Sequence, residues 1–112
     1  MSQSTTPRWH AMRTPETRDV EAVLKSVFPN SDAYRFNSAS IRVRVIDSRF
    51  EGKSNEERDA MVEPLLDQLP PPTQADIINL LTLTPNEAAS ATSSFKQFLA
   101  NVEFEDPSQS SL

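Results

Sequence analysis

Residues 41–62, IRVRVIDSRFEGKSNEERDAMV, carry the transition on which the fold turns. Ile41, Val43 and Val45 alternate strictly with Arg42 and Arg44, the period of two that belongs to a strand with one buried face. Thirteen residues past Ile41 the pattern has changed. Ser54 followed three positions later by Glu57 is a capping box. From there Met61, Val62, Leu65, Leu66 and Leu69 recur at helical spacing. Phe50, Glu51 and Gly52 therefore span a strand-to-helix connection. Gly52 is the only glycine in 112 residues, which predicts a backbone angle that a side chain would resist.

Upstream of that connection, Thr14 and Pro15 read as the start of a helix, because proline at the first helical position loses no bond the helix needs. Val20, Val23, Leu24, Val27 and Phe28 supply its stripe, and Pro29 with Asn30 ends it. Residues 33–36 read as a short strand and residues 37–40 as a turn, so 33–47 predicts a β-hairpin. Downstream, Pro64 should kink the second helix, and Pro70, Pro71 and Pro72 predict an extended connector. Residues 75–83 form an apolar run of strand length. Thr84, Pro85 and Glu87 repeat the capping signature ahead of a last helix. Together these predict an α+β domain, a small three-stranded mixed sheet with helices packed on one face.

Composition narrows function. Hydrophobic residues make up 37%, low for a globular chain, and the polar surplus collects at the ends. Residues 1–13 and 104–112 are expected to be disordered tails, the second acidic. There is no cysteine and a single histidine, His10, which removes thiolate nucleophiles, disulfides, Cys-rich zinc sites and most triads. An enzyme is not expected, and neither is a resident cofactor. No apolar run reaches the roughly 18 residues of a membrane span, and the first residues lack the apolar centre of a signal peptide. A soluble cytoplasmic protein without a membrane partner is expected. The net charge of −5 is unevenly shared: residues 1–58 carry +2 and residues 59–112 carry −7. Any contact with phosphate falls to the first half.

Two motif readings fail on single positions. Gly52, Lys53 and Ser54 end like a phosphate-binding loop, but Asp47 stands where its first glycine belongs. Residues 47–58 resemble a calcium loop until Arg49 and Arg58 bring positive charge to ligand positions. Arg35, Arg42 and Arg44 are expected to share the sheet face opposite Ile41, Val43 and Val45. They form either an ordinary solvated face or a stripe that contacts nucleic-acid phosphates. In the last helix Phe95, Phe98, Leu99 and Val102 form an apolar stripe at i, i+3, i+4 and i+7. It is expected to pack on Ile77, Leu81 and Leu83 within the chain or across a dimer, or to dock beside the other helices.

Phe50, Gly52, then five residues, Arg58, and Val62 four further on resemble the core motif of the BolA family, Phe-x-Gly, five residues, Arg-His-Arg-x-Val. IRVRVIDSRFEGKS before it and ADIINLLTLTPNE after it are similar to the family's strand and to its final strand with a Thr-Pro-x-Glu ending. The resemblance spans about residues 18–88. It implies a type II KH-like order of helix, strand, strand, helix, helix, strand, with the extra short helix placed at residues 70–74. Accordingly residues 14–87 are expected to form a BolA-like domain and 88–103 an added C-terminal helix.

What the resemblance implies about function is a binding adaptor. The family's members pair with monothiol glutaredoxins, many share a two-iron two-sulfur cluster with them, and some are described as stress-linked regulators that bind DNA. Position by position the motif's His corresponds to Asp59 and its second Arg to Ala60. The iron-ligating His at the start of the last strand aligns with Asp76, and the variable ligand of the hairpin turn falls within residues 37–40, which hold no His or Cys. Asp76 is thus the one candidate ligand, and its oxygen suits a cluster iron less well than imidazole or thiolate. The expectation is a non-enzymatic adaptor of iron-sulfur or redox-stress regulation with a protein partner, a monothiol glutaredoxin, as a monomer or weak homodimer. The alternatives are a nucleic-acid-binding regulator using Arg35, Arg42 and Arg44, and a structural interaction module using the C-terminal helix.

Overall fold

The computed structural model describes residues 7–89 and 95–110. Three strands form one sheet in the order β1 (Ser31–Asn37), β2 (Ser40–Ile46), β3 (Ile77–Leu83). β1 and β2 pair antiparallel, as a hairpin must; β2 and β3 pair parallel, which requires the long helical crossover between them. Helix α1 (Pro15–Lys25) precedes the hairpin. Helices α2 (Asn55–Leu66) and α3 (Pro71–Asp76) make the crossover, and α4 (Pro85–Ala89) and α5 (Phe95–Glu105) follow the sheet.

Local chemistry sets each boundary. Thr14 caps α1 reciprocally with Thr17, Ser54 caps α2 with Glu57, and Thr84 caps α4 with Glu87. The sole glycine has φ +73° and follows Phe50, at the point where the chain turns from strand to helix. An added Cβ there would meet nothing within 4 Å, so the cost of a side chain is purely conformational. Gly52→Ala should lower stability by about 1 kcal/mol, and Gly52→Asn by less, since Asn tolerates left-handed backbone. Urea unfolding followed by circular dichroism measures both; equal loss for Ala and Asn would exclude backbone conformation as the cause.

The principal core lies between α1, α2 and one sheet face. Val20, Leu24 and Phe28 meet Ala33, Ile41, Val43 and Val45, with Phe50, Val62, Leu66 and Leu69 closing it. Three expectations change here. Val27 is exposed, while Glu21 takes a buried place on α1 because its carboxylate accepts the Ala33 N–H at 3.0 Å. The triple proline does not hold an extended connector: Pro71 and Pro72 open the short α3, proline being suited to a first helical turn. In β3 the register shifts between Ile41 and Arg42, so Ile77 and Leu80 both reach the principal core and Ile78 is exposed.

The ends also depart from expectation. Residues 1–6 and 111–112 of the expected tails, and residues 90–94 of the expected helix over 88–103, lie outside the described residues. What is described of the tails is structured. Arg8–Met12 forms a 3-10 helix that buries Trp9, and Phe104 is buried near the end of α5. Their aromatic rings meet Tyr34 on the second sheet face, with Met12 and Leu81 packed alongside. A lone aromatic in polar sequence has no periodicity to betray it; its partner is 95 positions away.

Candidate functional site

Register decides where the three strand arginines go. Tyr34 stands opposite Arg42 and Asp32 opposite Arg44, so these four share the second face; Arg35 stands opposite Ile41 and lies on the helical face instead. The expected three-arginine stripe therefore does not exist, because the pairing puts an odd-numbered residue of β1 beside an odd-numbered residue of β2. None of the three faces open solvent alone. Arg42 Nη1 donates to the Tyr34 hydroxyl at 3.2 Å and to Glu103 at 2.8 Å. Arg44, only 6% exposed, donates to Asn101, Glu105 and Asp32. Helix α5 thus lies across this face, and it does so with carboxylates.

The aromatic half of the same contact is a clasp between the two ends of the chain. Trp9 Nε1 donates to Glu105 at 2.8 Å, Trp9 and Phe104 sit 5.4 Å apart centroid to centroid, and Arg8 pairs with Asp106. The Arg44 guanidinium lies 4.4 Å from the Phe104 ring centroid, within cation–π range. Burial raises the Glu105 carboxyl, but the hydrogen bonds from Arg44 and Trp9 outweigh it and hold the group below the usual carboxylate range. The same balance holds for Glu103, with Arg42 and Ser108 as donors. A depressed folded value means that the stabilisation is present above the ordinary carboxylate range and is lost as pH falls through the lowered values. Trp9 is the only tryptophan, so its emission should shift to longer wavelength as pH falls through those lowered values, before far-UV dichroism changes. Simultaneous loss of both signals would show that α5 does not release separately.

The apolar stripe points the other way. Phe95, Phe98, Leu99 and Val102 are 75%, 45%, 48% and 48% exposed. The helix does cover the second face, with Leu81 beneath it, but through Phe104, Asn101 and Glu105 rather than through the stripe. Periodicity located an apolar face; the guanidiniums of β2, which take acceptors from the opposite face of the helix as well as from β1, decided which side turns inward.

The four motif residues converge on the start of α2. Phe50 is fully buried and stacks on Phe28 at 5.5 Å, and Val62 is fully buried beneath it. Arg58, 5% exposed, makes more than a local charge contact. Its Nε donates to the Lys53 carbonyl, its Nη1 to the Thr82 carbonyl, and both Nη atoms grip Glu87. One guanidinium therefore ties the turn before α2, the end of β3 and the start of α4. This hold, together with the Thr84 backbone N–H, keeps the Glu87 carboxyl below its usual range despite burial. Asp59, at the motif's His position, lines a cavity of about 110 Å³ with Asn55 and Lys96. Burial, and then Glu63, push its carboxyl up.

The fold as a whole resembles that of a solved structure. The solution structure of BolA1 protein from Mus musculus superposes with a TM-score of 0.54 over 80% of this chain and 79% of that one, at 20% identity. The fold is BolA-like. No protein-family model and no curated protein matches the chain. The short helix expected at residues 70–74 corresponds to α3, and past the sheet the chain continues into α4 and α5.

The iron-sulfur cluster implied by the resemblance does not fit the residues at its expected place. Asp76 Oδ2 lies 3.1 Å from Arg35 Nη1. The same nitrogen donates to the carbonyls of Asn37 and Ser38 in the hairpin turn, and Nε donates to Glu16. A guanidinium thus bridges the two positions, turn and strand start, from which iron would be held. Among the described residues no group of three or more His, Cys, Asp or Glu is placed to hold a metal ion, and no helix is long and apolar enough to cross a membrane.

Proposed function

We propose that this chain is a non-enzymatic BolA-like adaptor that acts by protein association and contributes no metal ligand of its own. The observation that carries the reading is the exposed ridge of Phe95, Phe98, Leu99 and Val102 on a helix whose opposite face is already engaged. Four large apolar side chains aligned on one helix are a recognised mode of partner docking. The Arg35–Asp76 pair supports the second half of the reading, since it commits one carboxylate oxygen of Asp76 to a guanidinium and sets a cation beside the site.

A monothiol glutaredoxin is the partner that the resemblance singles out. Titrating the cluster-loaded glutaredoxin with this protein, with size-exclusion chromatography and visible circular dichroism as readouts, should give a heterocomplex whose cluster spectrum is unchanged. A changed spectrum that reverts with Asp76→Asn would restore the metal-ligand role, and no complex would exclude this partner. Phe98→Ser with Leu99→Ser should abolish association while leaving stability within about 0.5 kcal/mol, as for exposed sites. A large loss of stability would place the ridge in the core instead.

A further inference from the structure

We infer that the outer edge of β3 docks an extended basic segment of a partner protein, which joins the sheet as a fourth strand beside the acidic flank of α2. β3 is an edge strand. The Asp47 N–H donates to the Leu83 carbonyl on the β2 side. Over the regular register from Asn79 to Leu83 the backbone groups of Leu80 and Thr82 therefore point away from β2. Arg58 takes the Thr82 carbonyl. The Leu80 N–H and carbonyl and the Thr82 N–H have no hydrogen-bond partner among the described residues. The other edge of the sheet is treated differently, since the Glu21 carboxylate meets the outward Ala33 N–H of β1. Charged residues or proline commonly protect a free edge, and Ile77–Leu83, IINLLTL, has neither.

The chemistry beside the edge selects the occupant. Helix α2 runs along β3 in the opposite sense: Asn55 and Asp59 share one cavity with Leu80 and Thr82, and Glu63 and Asp67 share another, of about 240 Å³, with Ile77. Asp59, Glu63 and Asp67 thus form a row of carboxylates, none of which has an ion-pair or hydrogen-bond partner among the described residues. Four residues of a helix advance about 6 Å, and two residues of a strand about 6.7 Å. An extended chain on β3 can therefore set every second side chain against one carboxylate of the row.

Pairing fixes which side chains those are. In the antiparallel arrangement, the more stable per residue, the residue opposite Leu80 lies on the same face as Leu80, and Leu80 packs on the principal core with α2. That set of side chains is lysine or arginine. The alternate set turns toward α5, whose Lys96 lines the first cavity, and is uncharged. A second copy of this chain fits the edge poorly: pairing about a twofold axis would bring two acidic rows together on one face, like charge against like. The ridge of α5 takes no part, so the inference stands apart from the adaptor reading.

The test is fluorescence anisotropy of the labelled peptide Lys-Thr-Lys-Thr-Lys-Thr-Lys titrated with the full chain. Asp59→Asn with Glu63→Gln should weaken binding about tenfold, the effect of two partly exposed charge pairs. Asp19→Asn with Asp106→Asn, an equal change of charge on α1 and just past α5, should leave it within about twofold. Burial and Glu63 already push the Asp59 carboxyl up, so the first pair of substitutions should not lower stability in urea. A permuted peptide with its four lysines contiguous loses the spacing, and the alternating peptide methylated on its lysine backbone nitrogens loses the donors. Each should bind about tenfold more weakly or worse. At saturation the Leu80 and Thr82 amides should exchange more slowly with solvent, as NMR reads residue by residue. Equal weakening by both neutral pairs, equal binding of the three peptides, or unchanged exchange at Leu80 overturns the inference. Protection of the same amides by self-association without peptide overturns it too, in favour of a second copy. Phe98→Ser with Leu99→Ser should bind the peptide as the unaltered chain does, so failure at this edge leaves the ridge reading untouched.

Discussion

Phe50→Ala should destabilise the protein by about 4 kcal/mol, the cost of emptying a fully packed aromatic site. Phe50 is fully buried, stacks on Phe28 at 5.5 Å and 29°, and stands where the sheet passes into α2, so no single element can collapse to fill the space. Against a total of roughly 5–15 kcal/mol for a domain of this size, that loss leaves a visibly unfolded fraction at moderate temperature. Phe50→Leu keeps most of the volume and should cost under about 1.5 kcal/mol. Urea unfolding by far-UV dichroism separates the two, and a loss below about 1 kcal/mol for the alanine variant would show that the site repacks.

Arg58→Ala should cost about 3 kcal/mol, for a different reason. The arginine side chain is 6% exposed and its partner Glu87 23%, so truncation strands a half-buried carboxylate and leaves the Lys53 and Thr82 carbonyls without their donor. Arg58→Lys retains the charge and still loses part of the effect, because an ammonium cannot hold Glu87 with two parallel bonds while reaching two carbonyls. The expected loss is about 1–2 kcal/mol, comparable to one or two hydrogen bonds. Since the paired Glu87 titrates below its usual range, the gap between Arg58→Ala and the unaltered chain should be full at neutral pH and narrow as pH falls through that lowered value. A gap independent of pH down to acid unfolding would assign the loss to packing alone.

These two residues also mark what could be read in advance. The alternation from Ile41 to Val45 and the capping box at Ser54 placed β2 and α2, and the spacing of Phe50, Gly52, Arg58 and Val62 connected them. Such signals are local, and local geometry carried them into the structure intact. Arg35 was misplaced because sequence shows alternation within a strand but not which residues of two strands stand opposite. Trp9 and Phe104 were missed because each is isolated among polar neighbours, and burial came from a contact across nearly the whole chain. The ridge on α5 was found but its direction was left open, since hydrophobic periodicity takes no account of buried guanidiniums that need acceptors.

The clasp between the chain ends has a consequence in time. Trp9 and Glu105 are 96 positions apart and Arg8 and Asp106 are 98, so among the described residues these contacts close the longest loops. Their closure is repaid only after the hairpin and its crossover helices have brought the ends together. Contacts made after the rate-limiting step leave the refolding rate alone and act on the unfolding rate. Trp9→Ala should therefore speed unfolding and leave the refolding rate unchanged, as stopped-flow far-UV dichroism of α2 and the sheet would read.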